Sequence, residues 1–180
     1  GIIKVSDDGK SVDIIWGFES NLKPTSELST HLLSHNQRLE VDKDHRVIIH
    51  THATHINALS YVHELDDKKI TKSLWQMTTE SIVLFPDGIS VLPWMICGSD
   101  EIGIHTMEKM KTQRIVIWAM HGVFGAGKSF DDVCGLVETV DKAAEIYLLT
   151  QNNKINTITD QQLVSLAETF NANYKKEYFK

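Results

Sequence analysis

Basic charge is scarce in this sequence. Its 180 residues carry 18 Lys and Arg against 24 Asp and Glu, a formal net charge of −6. Nucleic-acid binding needs a basic face to neutralise phosphates, so the balance argues against it. No apolar run approaches the roughly 20 residues that a membrane-spanning helix requires, which argues against a membrane. Cysteine is almost missing: Cys97 and Cys134 are the only two. Two cysteines in a chain of this length build no disulfide framework, and the expected compartment is a reducing cytoplasm. Neither belongs to a Cys-x-x-Cys pair and neither has a base beside it in sequence. Both facts argue against a thiolate metal site and a nucleophilic thiol. Internal repeats, low-complexity segments and linkers are also missing, so residues 1–180 are expected to form one domain.

What is present suits a packed globular core: 42% of residues are apolar and 23% charged. The chain opens directly on the pattern Gly1-Ile2-Ile3-Lys4-Val5, which reads as a strand rather than a signal peptide. No initiator methionine or lead-in loop stands before it, so a piece of a longer protein is expected. Histidine is the excess. Of nine in the chain, His31, His35, His45, His50, His52, His55 and His63 crowd one short part.

Taken in order, Ile2–Val5 and Val12–Trp16 read as a hairpin joined through Asp7-Asp8-Gly9-Lys10. Phe18 to Lys23 reads as loop. A helix is expected from Pro24-Thr25-Ser26-Glu27 to about Leu39, with Thr25 or Ser26 as N-cap and Glu27 in the first turn. Val47–Ile49 reads as a buried strand and Ala53–His63 as a helix. Glu64–Lys69 reads as loop, and Thr71 to about Thr79 as a short helix. Ile82–Phe85 is an apolar stretch, Pro86-Asp87-Gly88 a turn and Ile89–Leu92 a strand. Ser99 caps a helix to about Lys111. Arg114–Met120 is an apolar strand, and a Gly-rich loop follows it. A long helix, Phe130–Leu149, comes next, then a loop at Asn152-Asn153-Lys154. The last helix runs from Thr159 to about Phe170, before a polar, frayed tail. Trp16, Trp75, Trp94 and Trp118 read as core or interface aromatics. Hairpins mixed with helices imply a three-layer α/β/α fold with a mixed, mainly antiparallel central sheet.

The chemistry centres on His50-Thr51-His52. Residues i and i+2 of a strand share a face, so these two imidazoles project side by side, as a divalent metal asks. The plain alternative is a pair of ordinary polar residues at a strand end. His121 ends a second buried strand. If the two strands are neighbours, three imidazoles meet, and three ligands with an open position describe a catalytic zinc site. Glu27 could serve there as a base or a further ligand. Glu80 ends a neutral apolar segment. For each glutamate the alternative is a solvated helix end.

Gly122-Val123-Phe124-Gly125-Ala126-Gly127-Lys128-Ser129 matches the phosphate-loop pattern, between a strand and a helix. Against a nucleotide site, no later strand ends in an aspartate for magnesium, since Ile146–Leu149 runs into Thr150-Gln151. The preferred reading is a Gly-rich turn that bends the backbone between strand and helix.

Several segments together resemble the class II aldolase/adducin family. They are Pro24-Thr25-Ser26-Glu27-Leu28, Arg46 to Thr54, Leu74-Trp75 with Thr79-Glu80, Phe85-Pro86-Asp87-Gly88, Leu92-Pro93-Trp94-Met95, Gly98 to Gly103 and His121 to Gly125. They run in the family's order to about Phe170. Leu-Pro-Trp-Met and Asp-Glu-Ile-Gly resemble more narrowly the branch that cleaves L-rhamnulose 1-phosphate to dihydroxyacetone phosphate and L-lactaldehyde, in L-rhamnose catabolism. Related branches act on fuculose or ribulose phosphates, and adducin-type members are non-catalytic oligomerising modules. The resemblance implies one Zn2+ per chain on His50, His52 and His121. It implies Glu27 as catalytic carboxylate and Glu80 as a second acid/base reaching a neighbouring subunit's site. It also implies a homotetramer. The substrate phosphate is expected on the Thr25 and Ser26 hydroxyls and amides. Family members carry an N-terminal segment ahead of the position of Gly1, with a Gly-Asn motif and a Ser-Gly loop that complete the phosphate pocket. The chain alone is therefore expected to keep the metal ligands but little or no activity.

Overall fold

The computed structural model describes residues 1–17, 23–153 and 155–179. The expected loop at 18–23 lies almost wholly outside them, as does Lys154. Two sheets form. Strands β1 (Ile2–Val5) and β2 (Val12–Trp16) pair antiparallel as a separate hairpin. The central sheet has β3 (Val47–Thr51), β4 (Ile89–Leu92), β5 (Ile115–Trp118) and β6 (Gly122–Gly127), in the order β3-β6-β5-β4. The β3–β6 and β6–β5 pairs are antiparallel and β5–β4 is parallel, so the sheet is mixed and mainly antiparallel.

Helices cover both faces. Helices α1 (Leu28–Val41) and α5 (Asp100–Lys109) pack together over one of them. Beneath lies a small core of Ile48, Leu92, Ile102, Met110, Val116, Trp118, Phe124 and Ala126. The other face carries α2 (Thr54–Val62), α3 (Asp67–Trp75), α4 (Ser81–Leu84), the long α6 (Phe130–Thr150) and α7 (Asp160–Thr169). Ile56, Leu59, Leu74, Trp75, Phe85, Ile115, Ile117 and Val140 bury there, among others. The alternation is the strand period at work: Val116 and Trp118 point to one layer, Ile115 and Ile117 to the other.

The structure corrects several sequence expectations. Neither Thr25 nor Ser26 is the N-cap of α1. That place falls to Glu27, whose carbonyl accepts from His31 N, and Thr25 forms a preceding turn in which its carbonyl accepts from Leu28 N. Helix α3 starts at Asp67, inside the expected loop, because the Asp66 side chain caps it by accepting from Lys69 N. The apolar stretch near Ile82 is the short α4. The tail is not frayed: Lys176–Phe179 makes a 3-10 turn, Tyr178 is buried, and the Phe179 ring stacks on Trp75 at 5.8 Å. Trp75 and Trp118 are core residues, whereas Trp16 and Trp94 are exposed.

The largest correction is the Gly-rich segment. It is not a loop but the interior strand β6, paired on both edges. Its backbone amides belong to the sheet ladder and are not free to cradle a phosphate. Glycine serves here to admit α6: a Cβ on Gly125 would lie 2.9 Å from Val137 Cγ2. Lys128 is exposed, and Ser129 caps α6 by accepting from Asp132 N.

One buried polar knot fixes α1 to its neighbours. Arg38, only 4% exposed, donates from Nε to His45 Nδ1 at 3.2 Å and from Nη1 to the Met110 carbonyl at 2.7 Å. His45 Nδ1 is therefore an acceptor, and its proton sits on Nε2, 3.4 Å from Asp42 Oδ2. Burial, then the nearby Arg38 charge, hold the His45 pKa below its usual value. A depressed histidine pKa means the unfolded chain protonates first. The stabilisation is complete above about pH 6.5 and is lost as pH falls below it. The denaturant midpoint should drop between about pH 7.5 and pH 5.5. His45→Gln should flatten part of that slope, and a slope it leaves unchanged would contradict the account.

Candidate metal centre

His50 faces the α1/α5 layer. It shares that face with Ile48, by the strand's period of two. Opposite it on β6 is Phe124, and the two rings stack at 4.3 Å and 22°. Trp118 stands 5.2 Å from the His50 ring and 5.2 Å from His121. Its indole is fixed by donating to Thr106 Oγ1 at 2.9 Å. Phe124 and Trp118 thus form an aromatic floor under two imidazoles.

The three histidines meet, but not as adjacency of their strands would have it. β3 and β5 are not neighbours, because β6 runs between them. His121 joins the pair from the β5–β6 turn, which folds back beside the end of β3. Gly122 makes that approach possible. A Cβ there would lie 2.6 Å from the Thr51 carbonyl oxygen, 2.9 Å from His52 Cδ2 and 3.3 Å from His50 Cε1. The turn itself is strained at Met120, a non-glycine residue at φ 63°. It is tied down where Met120 N donates to the Oγ of buried Ser60 on α2, at 2.8 Å.

The donor atoms converge. His121 Nε2 lies 3.1 Å from His52 Nε2. This is close to the roughly 3.3 Å edge of a tetrahedron whose nitrogens lie about 2.0–2.1 Å from its centre. The ring centroids of His50 lie 5.1 Å from His52 and 5.3 Å from His121. His50 Nδ1 donates to the Val123 carbonyl at 3.1 Å, so Nε2 carries the free lone pair. Among the described residues that buried Nε2 has no hydrogen-bond partner, which costs free energy unless something binds it. Burial pushes the His50 pKa down to about 4, and burial also lowers that of His121. Neutral rings with a fixed tautomer are what a metal ion requires of imidazole. The donor set therefore fits a divalent cation.

Glu27 comes over this cluster from the start of α1. Its Oε1 is 3.6 Å from His121 Nε2 and its Oε2 is 3.7 Å from His50 Nε2. Thr25 Oγ1 donates to Glu27 Oε2 at 3.1 Å and steadies the carboxylate. Thr25 and Ser26 are exposed beside it. Glu80 is elsewhere. It is exposed at the N-terminus of α4 and lines a cavity of about 200 Å³ with Thr79, Val83, Leu84 and Phe170.

Other histidines have structural partners. Besides His45, His55 Nδ1 meets Asp141 Oδ2 at 2.7 Å, and His63 bonds the Glu64 carbonyl and Ser73. Sequence reasoning missed four contributors. Ser60 and Phe124 carry no local signal. Gly122 is signalled only by its place next to His121. Cys97, set aside for want of a Cys-x-x-Cys pair, lies with its sulfur within 4.8 Å of ligand atoms of both Glu27 and His121.

The chain resembles known proteins along most of its length. It is 53% identical over 173 residues to a rhamnulose-1-phosphate aldolase of Listeria welshimeri, covering 94% of this chain and 62% of that protein. It is 47% identical over 180 residues to a rhamnulose-1-phosphate aldolase of Enterococcus faecalis, covering 99% of this chain and 64% of that protein. The chain thus spans just under two thirds of the length of the curated relatives it matches. Among solved structures, a sugar-phosphate aldolase from Thermotoga maritima superposes with a TM-score of 0.67 and 34% identity, over 76% of this chain and 58% of that one. The model of the class II aldolase and adducin N-terminal domain matches residues 1–148, and on that match and these identities the chain belongs to the class II aldolase/adducin family.

Proposed function

We propose that the chain carries the metal-binding and proton-transfer machinery of an aldolase that cleaves L-rhamnulose 1-phosphate to dihydroxyacetone phosphate and L-lactaldehyde, in L-rhamnose catabolism. The observation that carries the reading is the convergence of three imidazoles with a carboxylate across them. The substrate assignment rests on the relatives' names, which are those of rhamnulose-1-phosphate aldolases.

His50, His52 and His121 would hold one Zn2+. Held by neutral ligands, the ion keeps its charge and supplies Lewis-acid polarisation of the sugar's ketone and adjacent hydroxyl oxygens. The residues of the chain do the rest. Glu27 would deliver a proton to the ketose-phosphate carbon as its bond to the aldehyde carbon breaks, and would take it back in the condensation direction. This needs the carboxylate within hydrogen-bond reach of that carbon's proton, and Glu27 is aimed at the centre of the cluster. The hydroxyl proton on the departing aldehyde carbon must go to a second base. Glu80, exposed and apart from the cluster, would fill that role at another copy's site in a homotetramer. The Thr25 and Ser26 hydroxyls and amides, beside Glu27, would hold the phosphate.

Self-association is supported by apolar surface: Trp16 is 69% exposed, Ile15 58% and Trp94 64%. A reducing cytoplasm suits two free, exposed cysteines. Among the described residues no helix is long and apolar enough to cross a membrane. Residues 1–180 would form one part of the aldolase domain, with the phosphate pocket completed by a preceding segment.

The test is aldol cleavage of L-rhamnulose 1-phosphate by the zinc-loaded chain, with and without that segment supplied. Glu27→Gln should lower turnover by about 10²–10⁴, the usual contribution of a positioned acid/base, without lowering zinc content. Full turnover by Glu27→Gln would refute its role. A purified chain that takes up no zinc would favour a non-catalytic, adducin-like module.

A further inference from the structure

Two of the three imidazoles stand just outside the sheet. Strand β3 ends at Thr51, before His52, and β5 ends at Trp118, before His121. Ladder hydrogen bonds alone do not fix their spacing, yet their Nε2 atoms lie 3.1 Å apart. We propose that buried Ser60 is a positioning residue of this centre: through the amide of Met120 it holds His121 at ligand distance from His52. The inference rests on the metal reading of the three histidines.

The turn before His121 does not hold itself. Residues 118–121 close with His121 N donating to the Trp118 carbonyl at 3.1 Å. The third of them is Met120 at φ 63°, a place where glycine sits without strain. A methionine stays in that region only where its surroundings fix it. Ser60, 3% exposed, supplies the fixing contact. Its Oγ donates to the Asn57 carbonyl at 2.7 Å and accepts from Met120 N at 2.8 Å. The first bond commits the single hydroxyl proton, so toward Met120 the oxygen is purely an acceptor.

The helix that carries Ser60 is itself anchored beside His52. Helix α2 starts at Thr54, and its N-cap, Ala53, has no side chain able to accept a hydrogen bond. Asp141 of α6 accepts instead, from His55 N at 2.9 Å and from Ile56 N at 3.0 Å. One helix thus meets the chain just after His52 and again, at Ser60, just before His121. Losing the Ser60 hydroxyl frees one end of that brace. Met120 then relaxes toward negative φ and carries the His121 ring off the cluster.

Zinc affinity of the 180-residue chain, measured by chelator competition with thermal unfolding followed alongside, reads this without turnover. Ser60→Ala should bind zinc about 10–100-fold more weakly, the range that losing a supporting partner costs a metal site. Glycine takes the positive φ unaided, so in a Met120→Gly background most of that loss should vanish. Ser81→Ala is the structural control. It removes another buried serine hydroxyl, on α4, bonded to Thr78 Oγ1 at 2.7 Å, and should lower the unfolding temperature without weakening zinc. Undiminished affinity in Ser60→Ala would overturn the proposal and leave the three-histidine site standing. An equal loss in Ser81→Ala, or a loss that Met120→Gly leaves whole, would overturn it too. Amide hydrogen exchange on the zinc-loaded wild type tests the same bond should Ser60→Ala not fold. The Met120 amide should be protected although the residue is 42% exposed, and fast exchange there would overturn the proposal. A wild type that takes up no zinc would overturn the metal reading and this inference together.

Discussion

Replacing His50 with alanine should lower the zinc affinity of the chain by at least about 100-fold. That is the upper end of what the loss of a mere supporting hydrogen bond costs a metal site, and a direct ligand should cost more. The reasoning is specific to this ring. Its Nδ1 is committed to the Val123 carbonyl, its plane is set by Phe124, and its buried Nε2 has no hydrogen-bond partner among the described residues. Without metal, His50→Ala removes an unsatisfied polar atom, so the fold should lose little beyond the packing of one ring. His63→Ala is the control, since that ring is committed to the Glu64 carbonyl and Ser73. A chelator-competition titration of the three proteins measures the difference. Equal affinities for wild type and His50→Ala would remove His50 from the ligand set.

The second large effect is expected from the smallest change. Gly122→Ala places a methyl 2.6 Å from the Thr51 carbonyl oxygen. That atom is backbone in the β3–β6 ladder, so the strands must part. Overpacking of this kind costs about 1–3 kcal/mol. At this chain length each kcal/mol is worth roughly 2–4 °C in Tm. The same methyl pushes on His52 and His50, so metal affinity should fall with stability. Gly135→Ala separates steric cost from the generic effect of losing a glycine. Its added Cβ on α6 meets no atom of the described residues within 4 Å, and alanine is the better helix former by about 1 kcal/mol. Thermal unfolding should therefore move down for Gly122→Ala and up for Gly135→Ala. If both move up, the close approach at Gly122 is not what admits the histidines.

The sequence and the fold agree where a local rule is strong. The hairpin Ile2–Val5 and Val12–Trp16 has the bounds read from two apolar runs joined through Asp-Gly, and the Ser99 and Thr159 caps hold their helices. The paired imidazoles of His50 and His52 were legible for the same reason, since two residues along a strand return to the same face.

Other features depend on contacts that no local pattern carries. Strand β6 was hidden because glycine and alanine fill Gly122, Gly125, Ala126 and Gly127, leaving little of an apolar period to read. What makes the segment a strand is the pair of ladders on either side of it. The order β3-β6-β5-β4 puts that strand between β3, which carries His50, and β5, after which His121 follows, and sequence order alone does not reveal spatial order. Cys97 meets Glu27 only because two loops distant in sequence press together at Gly98 and Ser26. The phosphate-loop match failed for a related reason: the motif specifies residue types, whereas the chemistry needs free amides.

X-ray absorption at the zinc edge of the metal-loaded chain tests the central claim most directly. Three imidazole nitrogens at about 2.0–2.1 Å are expected around one zinc per chain. The imidazole signal should fall to two rings in His121→Ala. Zinc bound mainly by carboxylate or water oxygens, or a spectrum that His121→Ala leaves unchanged, would contradict a centre built from these three side chains.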